Sequence, residues 1–141
     1  MQADGYLFFE LYVVSLAHYV SIFRDALGFE VVEREDDFVK LQSPHGTVLL
    51  NATTSLPEGH PFASYRSHAS RGLGVELGIV TADLEKAWIA ARALAGCVVS
   101  EIAHQEWGMS DFRIQSLEGY FFRVTTRDPE ADAPANLVTA G

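Results

Sequence analysis

The sequence predicts one α+β domain made of two tandem βαβββ units, and three observations carry that prediction: a repeated helix, apolar strands flanking each copy, and a repeated turn before each final strand. With the chain laid on itself so that Gly28 falls over Gly96, Ser15-Leu16 meets Asp83-Leu84, Val20 meets Trp88, Phe23 meets Ala91 and Leu27 meets Ala95. Leu16, Val20, Phe23 and Leu27 keep the spacing of a single apolar helical stripe. Ser15 and Asp83 stand at the N-cap position, where a side-chain oxygen can take an otherwise unpaired backbone N–H. Gly28 and Gly96 stand where a left-handed residue ends a helix.

A strand precedes each helix, Leu7 to Val14 and Val75 to Val80. Another follows each, Phe29 to Arg34 and Val98 to Ala103, rich in Val and Ile. The closing pair of strands repeats most clearly. Asp37-Phe38 leads to Gln42-Ser43-Pro44-His45-Gly46 in the first unit, and Asp111-Phe112 leads to Gln115-Ser116-Leu117-Glu118-Gly119 in the second. Each phrase reads as a strand and a tight turn at glycine. The final strands are then Thr47 to Ala52 and Tyr120 to Thr126. These boundaries give a single domain over 1–127, with modules 7–54 and 74–127 joined by a loop, 55–73, rich in Ser, Gly, Pro and His. So long a connection inside a compact domain implies a crossover or a functional loop. The segment 128–141, acidic at first and rich in Pro and Ala, is expected to be a flexible tail.

Composition narrows the function classes. Hydrophobic residues make up 48% of the 141 and charged residues 21%, which is globular usage in a chain long enough to bury a core unaided. A net charge of -9 repels polyphosphate, so nucleic acid is not an expected partner. The same charge can attract a cationic small molecule or serve only to keep the protein soluble. Cys97 is the lone cysteine and lies in an apolar run, where packing is its expected role. The N-terminus has no basic region before its short apolar run, and no apolar stretch has the length of a membrane span. A cytoplasmic location without membrane contact is the expectation.

With the repeat and its motifs in view, the chain resembles the vicinal oxygen chelate superfamily, which includes glyoxalases, bleomycin-resistance proteins and extradiol dioxygenases. The phrases that carry this are Phe9-Glu10-Leu11-Tyr12-Val13, Phe23-Arg24-Asp25-Ala26-Leu27-Gly28-Phe29, Glu106-Trp107-Gly108 and Leu117-Glu118-Gly119-Tyr120-Phe121-Phe122-Arg123. The tryptophan-glycine phrase followed by a glycine-tyrosine turn looks most like the bleomycin-resistance branch. The resemblance implies a curved mixed sheet with an open cleft, a homodimer, and, in enzyme members, a divalent metal held by residues from the first and last strand of each module. Carried over position by position, those places fall on Phe8, on Leu50 or Asn51, on Glu76 and on Arg123. Glu76 alone is a plausible ligand among the four carried positions, and a permanently cationic Arg123 repels an ion. No metal or other cofactor is therefore expected.

Strand alternation sends Phe8, Glu10 and Tyr12 to one face and Phe9, Leu11 and Val13 to the other. By the repeat, Glu76 and Gly78 share the first orientation, as do Phe121, Arg123 and Thr125. Glu76 and Arg123 are expected to pair, because buried unpaired charges are costly. That pair either neutralises an old metal position or fixes a polar or cationic ligand. Phe8 and Tyr12 read as apolar wall. Trp107, in a loop beside a glycine, is available for ligand stacking, whereas Trp88 belongs to the core. His60 and His68 read as solvated loop residues, and His104 can serve as acid or base only with a substrate in reach.

The leading expectation is a metal-free protein that binds a planar or cationic small molecule, such as an antibiotic, through Phe8, Glu10, Tyr12, Glu76, Trp107 and Arg123. The alternative is a lyase, isomerase or dioxygenase-like enzyme acting on a small metabolite. It would use Glu10, Glu76 or His104 as acid or base, or Glu76 in an unusual metal site. A third class is an assembly module whose cleft is filled by its own side chains.

Overall fold

The computed structural model describes residues 4–44, 46–63 and 71–126; the expected tail at 128–141 and His68 lie outside them. The first unit runs β1 (Phe9–Val13), α1 (Leu16–Val20) continuing as a π-helical segment (Ser21–Ala26), β2 (Glu30–Arg34), β3 (Phe38–Ser43) and β4 (Gly46–Ala52). The second runs β5 (Glu76–Thr81), α2 (Leu84–Arg92), β6 (Val98–Val99), β7 (Ala103–His104), β8 (Ser110–Gln115) and β9 (Phe121–Thr126). The α+β class and the repeated βαβββ order are those read from the sequence.

The helix signals act as expected. Ser15 Oγ accepts from the backbone N–H of His18, and Asp83 Oδ1 accepts from that of Lys86. Gly28 and Gly96 take the left-handed conformation that ends each helix, with φ of 76° and 75°. The stripe on the first helix is wider than its predicted spacing, because Tyr19, Val20, Ile22, Phe23 and Ala26 are all buried.

Hydrogen bonding divides the strands into two sheets, ordered β1-β4-β3-β2 and β5-β9-β8-β6, with β7 also on β8. In each, the first and last strands of the unit pair in parallel, and the other pairs are antiparallel. The strand expected over Val98 to Ala103 is interrupted. Val99 pairs with Ile114 but Ala103 with Asp111, so the chain holds one extra residue there. The first unit has the same irregularity, between Val31 and Glu33 on β2. A bulge at the matching place in both units belongs to the repeat itself.

One core joins the two units. Phe23 packs edge-on against Phe29 of its own unit and Phe122 of the other, with ring centres 5.4 Å apart in both cases. Full burial of such a ring contributes on the order of 2 kcal/mol. The turn between β8 and β9 is also latched to the first unit. Glu118 Oε2 accepts from Val14 N at 3.1 Å, the Tyr120 hydroxyl donates to Tyr12 O at 2.9 Å, and the Tyr19 hydroxyl lies 2.9 Å from Ser116 Oγ. Gly72 N donates to Glu118 O, and a β-carbon on Gly72 would collide with the backbone of Tyr120. Arg71 lies beside Glu118, Nε to Oε2 3.9 Å, and both side chains are almost wholly buried. Burial pushes the Glu118 carboxyl above its usual range, more than Val14 N–H, the Tyr19 hydroxyl and Arg71 pull it down. Burial likewise pushes the Tyr120 phenol up to about 12.

Candidate functional site

Alternation in the second sheet builds a polar face from short-range rules. On β8, Phe112 and Ile114 are fully buried in the core, so Asp111 and Arg113 project to the opposite side. On β9, Phe122 and Val124 are buried and Arg123 shares the side of Arg113, its direct cross-strand partner. On β5, Leu77 is buried and Glu76 faces the other way.

Asp111 sits at the centre of this face with only 2% of its side chain exposed. Its Oδ1 accepts from Gln105 Nε2 at 2.8 Å and pairs with Arg113 Nη1 at 2.9 Å. Its Oδ2 lies 3.5 Å from Arg123 Nε. Arg113 then reaches across β9, its Nε 2.9 Å from Glu76 Oε1. The Arg123 guanidinium lies 5.5 Å from the centre of the Trp107 ring, a cation–π arrangement. Trp107 is held on a turn closed by Gln105 N donating to Met109 O and Gly108 N to Gln105 O, with Gly108 at φ 92°. More than half of the indole remains exposed.

The expected Glu76–Arg123 pair is not formed. Glu76 lies beside Phe121 and Gly78 beside Arg123, so the two charges are offset along the parallel pair and each finds a partner on β8. Asp111, Arg113 and Gln105 are site residues that sequence reasoning does not single out. The signal for the first two is the alternation Asp111-Phe112-Arg113-Ile114, which sends both polar side chains to one face.

The other predicted residues fall on the first sheet. Leu11 and Val13 are buried, placing Glu10 and Tyr12 on the opposite face, as alternation requires. Glu10 Oε1 accepts from Asn51 Nδ2. Tyr12 packs with His60 and Phe62, all three ring centres being 5.3 Å apart, so His60 is part of an aromatic cluster. Burial and the nearby Glu10 carboxylate raise the Tyr12 phenol. Phe8 is about half exposed, just ahead of β1. Among the described residues, no hydrogen bond, ion pair or ring contact links Phe8, Glu10 or Tyr12 to Glu76, Trp107 or Arg123. His104 is exposed, its Nδ1 3.2 Å from Ser110 Oγ. Trp88 packs against the core and donates from Nε1 to Ser100 O at 3.0 Å. Cys97 is partly buried, its Sγ 3.8 Å from His18 Nε2; burial raises the thiol and lowers the imidazole.

The register also fixes which residues stand at the metal positions implied by the resemblance. Glu10 pairs with Leu49 as Gly78 pairs with Arg123, so Leu49, and neither Leu50 nor Asn51, is the first-unit counterpart of Arg123. Leu50 is buried in the core and Asn51 is engaged with Glu10. The matching positions thus carry Phe8, Leu49, Glu76 and Arg123: two hydrocarbons, one carboxylate committed to Arg113, and a cation. That set does not fit a divalent ion. Among the described residues, no three His, Cys, Asp or Glu side chains are grouped to hold a metal.

A cavity of about 150 Å³ opens between β1 and β5, lined mainly by the apolar Phe9, Leu11, Phe23, Val48, Leu77 and Ile79, with Glu76 also on its wall. No helix among the described residues is long and apolar enough to cross a membrane.

Residues 5–129 match the family profile described as the Glyoxalase/Bleomycin resistance protein/Dioxygenase superfamily. No curated protein sequence is detectably similar to the chain. Among solved structures, the hypothetical protein SA1046 from S. aureus superposes with TM-score 0.66 at 19% identity, over 89% of this chain and 96% of that one. A glyoxalase-related enzyme from Fulvimarina pelagi gives 0.66 at 13% identity, over 86% and 88%. A bleomycin resistance determinant encoded on the transposon Tn5 gives 0.57 at 16%, over 89% and 99%. At these identities the likeness is one of fold.

Proposed function

We propose that this chain, which belongs to the glyoxalase/bleomycin resistance protein/dioxygenase superfamily, is a metal-free small-molecule-binding protein that holds a planar compound against Trp107 and Arg123. The observation that carries this reading is the half-exposed indole stacked on a guanidinium that is itself anchored to the buried Asp111. A surface indole contributes little to packing, whereas an indole held by a fixed cation beside a polar face is ready to stack on a flat ligand. The donor set at the family's metal positions argues for binding without an ion. Glu76 and Arg113 form the rim of the proposed site; Phe8, Glu10 and Tyr12 on the first sheet contribute only where a ligand or a second copy spans both faces.

A homodimer accompanies this proposal. Among the described residues the outer edges of β1 and β5 are unpaired, and Tyr6, Leu7 and Phe8 just ahead of β1, Phe9 at its start, and Leu73 and Val75 just ahead of β5 are exposed apolar residues. Such edges are commonly covered by another chain. The binding reading is tested by titrating intrinsic fluorescence against a panel of planar natural products, with and without chelator, on wild type and Trp107→Ala. Saturable quenching that is indifferent to chelator and weakened at least tenfold by the substitution is expected. Quenching that requires added metal, or that Trp107→Ala leaves unchanged at the second tryptophan, would overturn it.

A further inference from the structure

We infer that the ligand taken at this face is a planar anion, a flat ring system carrying a carboxylate, an assignment that rests on the binding role proposed for Trp107. Arg113 and Arg123 are direct cross-strand partners on β8 and β9, with both guanidiniums on the same side. Like charges placed directly opposite each other are destabilising. In a chain with only 10 Lys and Arg against 19 Asp and Glu, two of the arginines stand side by side here, balanced in number by Asp111 and Glu76.

The two carboxylates are not shared evenly: both short contacts, 2.9 Å each, go to Arg113. Asp111 is buried, and its Oδ1 is shared between Gln105 and Arg113. At 3.5 Å its Oδ2 holds Arg123 by charge without a hydrogen bond, and the buried Arg123 Nε has no hydrogen-bond partner. Glu76 is committed to Arg113. Arg123 is thus positioned by Asp111 on one side and by the Trp107 ring on another, with its side chain still 29% exposed. A guanidinium in that state is a ready partner for a carboxylate, which it can grip through two parallel N–H donors. A ring laid on the exposed part of the indole brings its carboxylate to that guanidinium. A cationic ligand laid on the indole meets the Arg123 guanidinium first; Asp111 is buried, and Glu76, though 43% exposed, has its Oε1 on Arg113.

The test is calorimetric titration with three probes of one shape: 2-naphthoate, its methyl ester, and 2-naphthylmethylammonium. Wild type is expected to bind the carboxylate at least tenfold more tightly than either of the others. Arg123→Gln should abolish that preference, and Trp107→Ala should weaken all three together. Arg123→Lys keeps a charge for Asp111 but loses the two-pronged grip; it should lose most of the preference and supplies the comparison should Arg123→Gln not fold. Equal binding of the three probes, or tighter binding of the ammonium, with Trp107→Ala still weakening them, overturns the anion assignment and leaves the binding role standing. Binding of none of them, or binding indifferent to Trp107→Ala, removes both.

Discussion

Asp111 is the residue on which the polar face depends. It is the one carboxylate paired with both arginines of that face, and it is almost fully buried while doing so. Asp111→Asn should therefore destabilise the fold by roughly 3 kcal/mol in a urea titration, because it leaves two opposed guanidiniums without their shared counter-charge. Glu76→Gln removes a carboxylate whose side chain is 43% exposed, and should cost less than about 1 kcal/mol. A larger loss for Glu76→Gln than for Asp111→Asn would mean that the partners have been assigned wrongly. The contrast also marks what the sequence makes legible at this scale. Glu76 and Arg123 stand out as charged residues in otherwise apolar strands, and alternation assigns their face. Which charge pairs with which depends on the parallel register of β5 on β9, and no single-strand pattern carries that information.

Among the elements, caps, helix ends and strand faces follow from local rules, and they appear where those rules put them. Ser15, Asp83, Gly28 and Gly96 each contribute through their own side chain or conformation. The bulges after Val31 and Val99 leave no such trace, since any residue can occupy them. The turn at Leu117-Glu118-Gly119-Tyr120 is legible as a motif but not as a latch, because its partners Val14, Tyr12 and Gly72 lie far away in sequence. Gly72→Ala should destabilise by about 1 to 3 kcal/mol, the cost of forcing extra volume against a fixed backbone. Glu118 gives the turn a pH dependence. Its folded-state carboxyl is raised, so the folded state holds its proton more tightly than the unfolded chain does. The stability this contributes is fully present below the ordinary carboxylate range and is lost as pH rises through the folded value. Glu118→Gln, which mimics the neutral acid, should thus gain stability relative to wild type as pH is raised from 4 towards neutrality in melting experiments. A difference that stays flat or moves the other way would contradict the burial argument.

For the whole molecule, the internal repeat makes the two-unit architecture readable in the amino-acid sequence, whereas the division into two sheets with free β1 and β5 edges is not readable there. Edge pairing is decided by how whole units dock, here through Phe23, Phe122 and the latched turn. Those exposed edges lead to the expectation of a dimer by light scattering at tens of micromolar, and a monomer there would contradict it. The metal-binding positions are readable as chemically poor from residue type alone, and register replaces Leu50 or Asn51 by Leu49 without adding a donor. Purified protein should accordingly carry no stoichiometric divalent metal after dialysis, and chelator should leave its melting temperature unchanged. Whether Trp107 and Arg123 hold a planar ligand without an ion can be seen in a crystal structure of the protein grown with 2-naphthoate. In that crystal the ring should lie against the Trp107 indole with its carboxylate on the Arg123 guanidinium. Density for the ligand on the first sheet or in the β1–β5 cavity, or for an ion bridging it to Glu76, would contradict it.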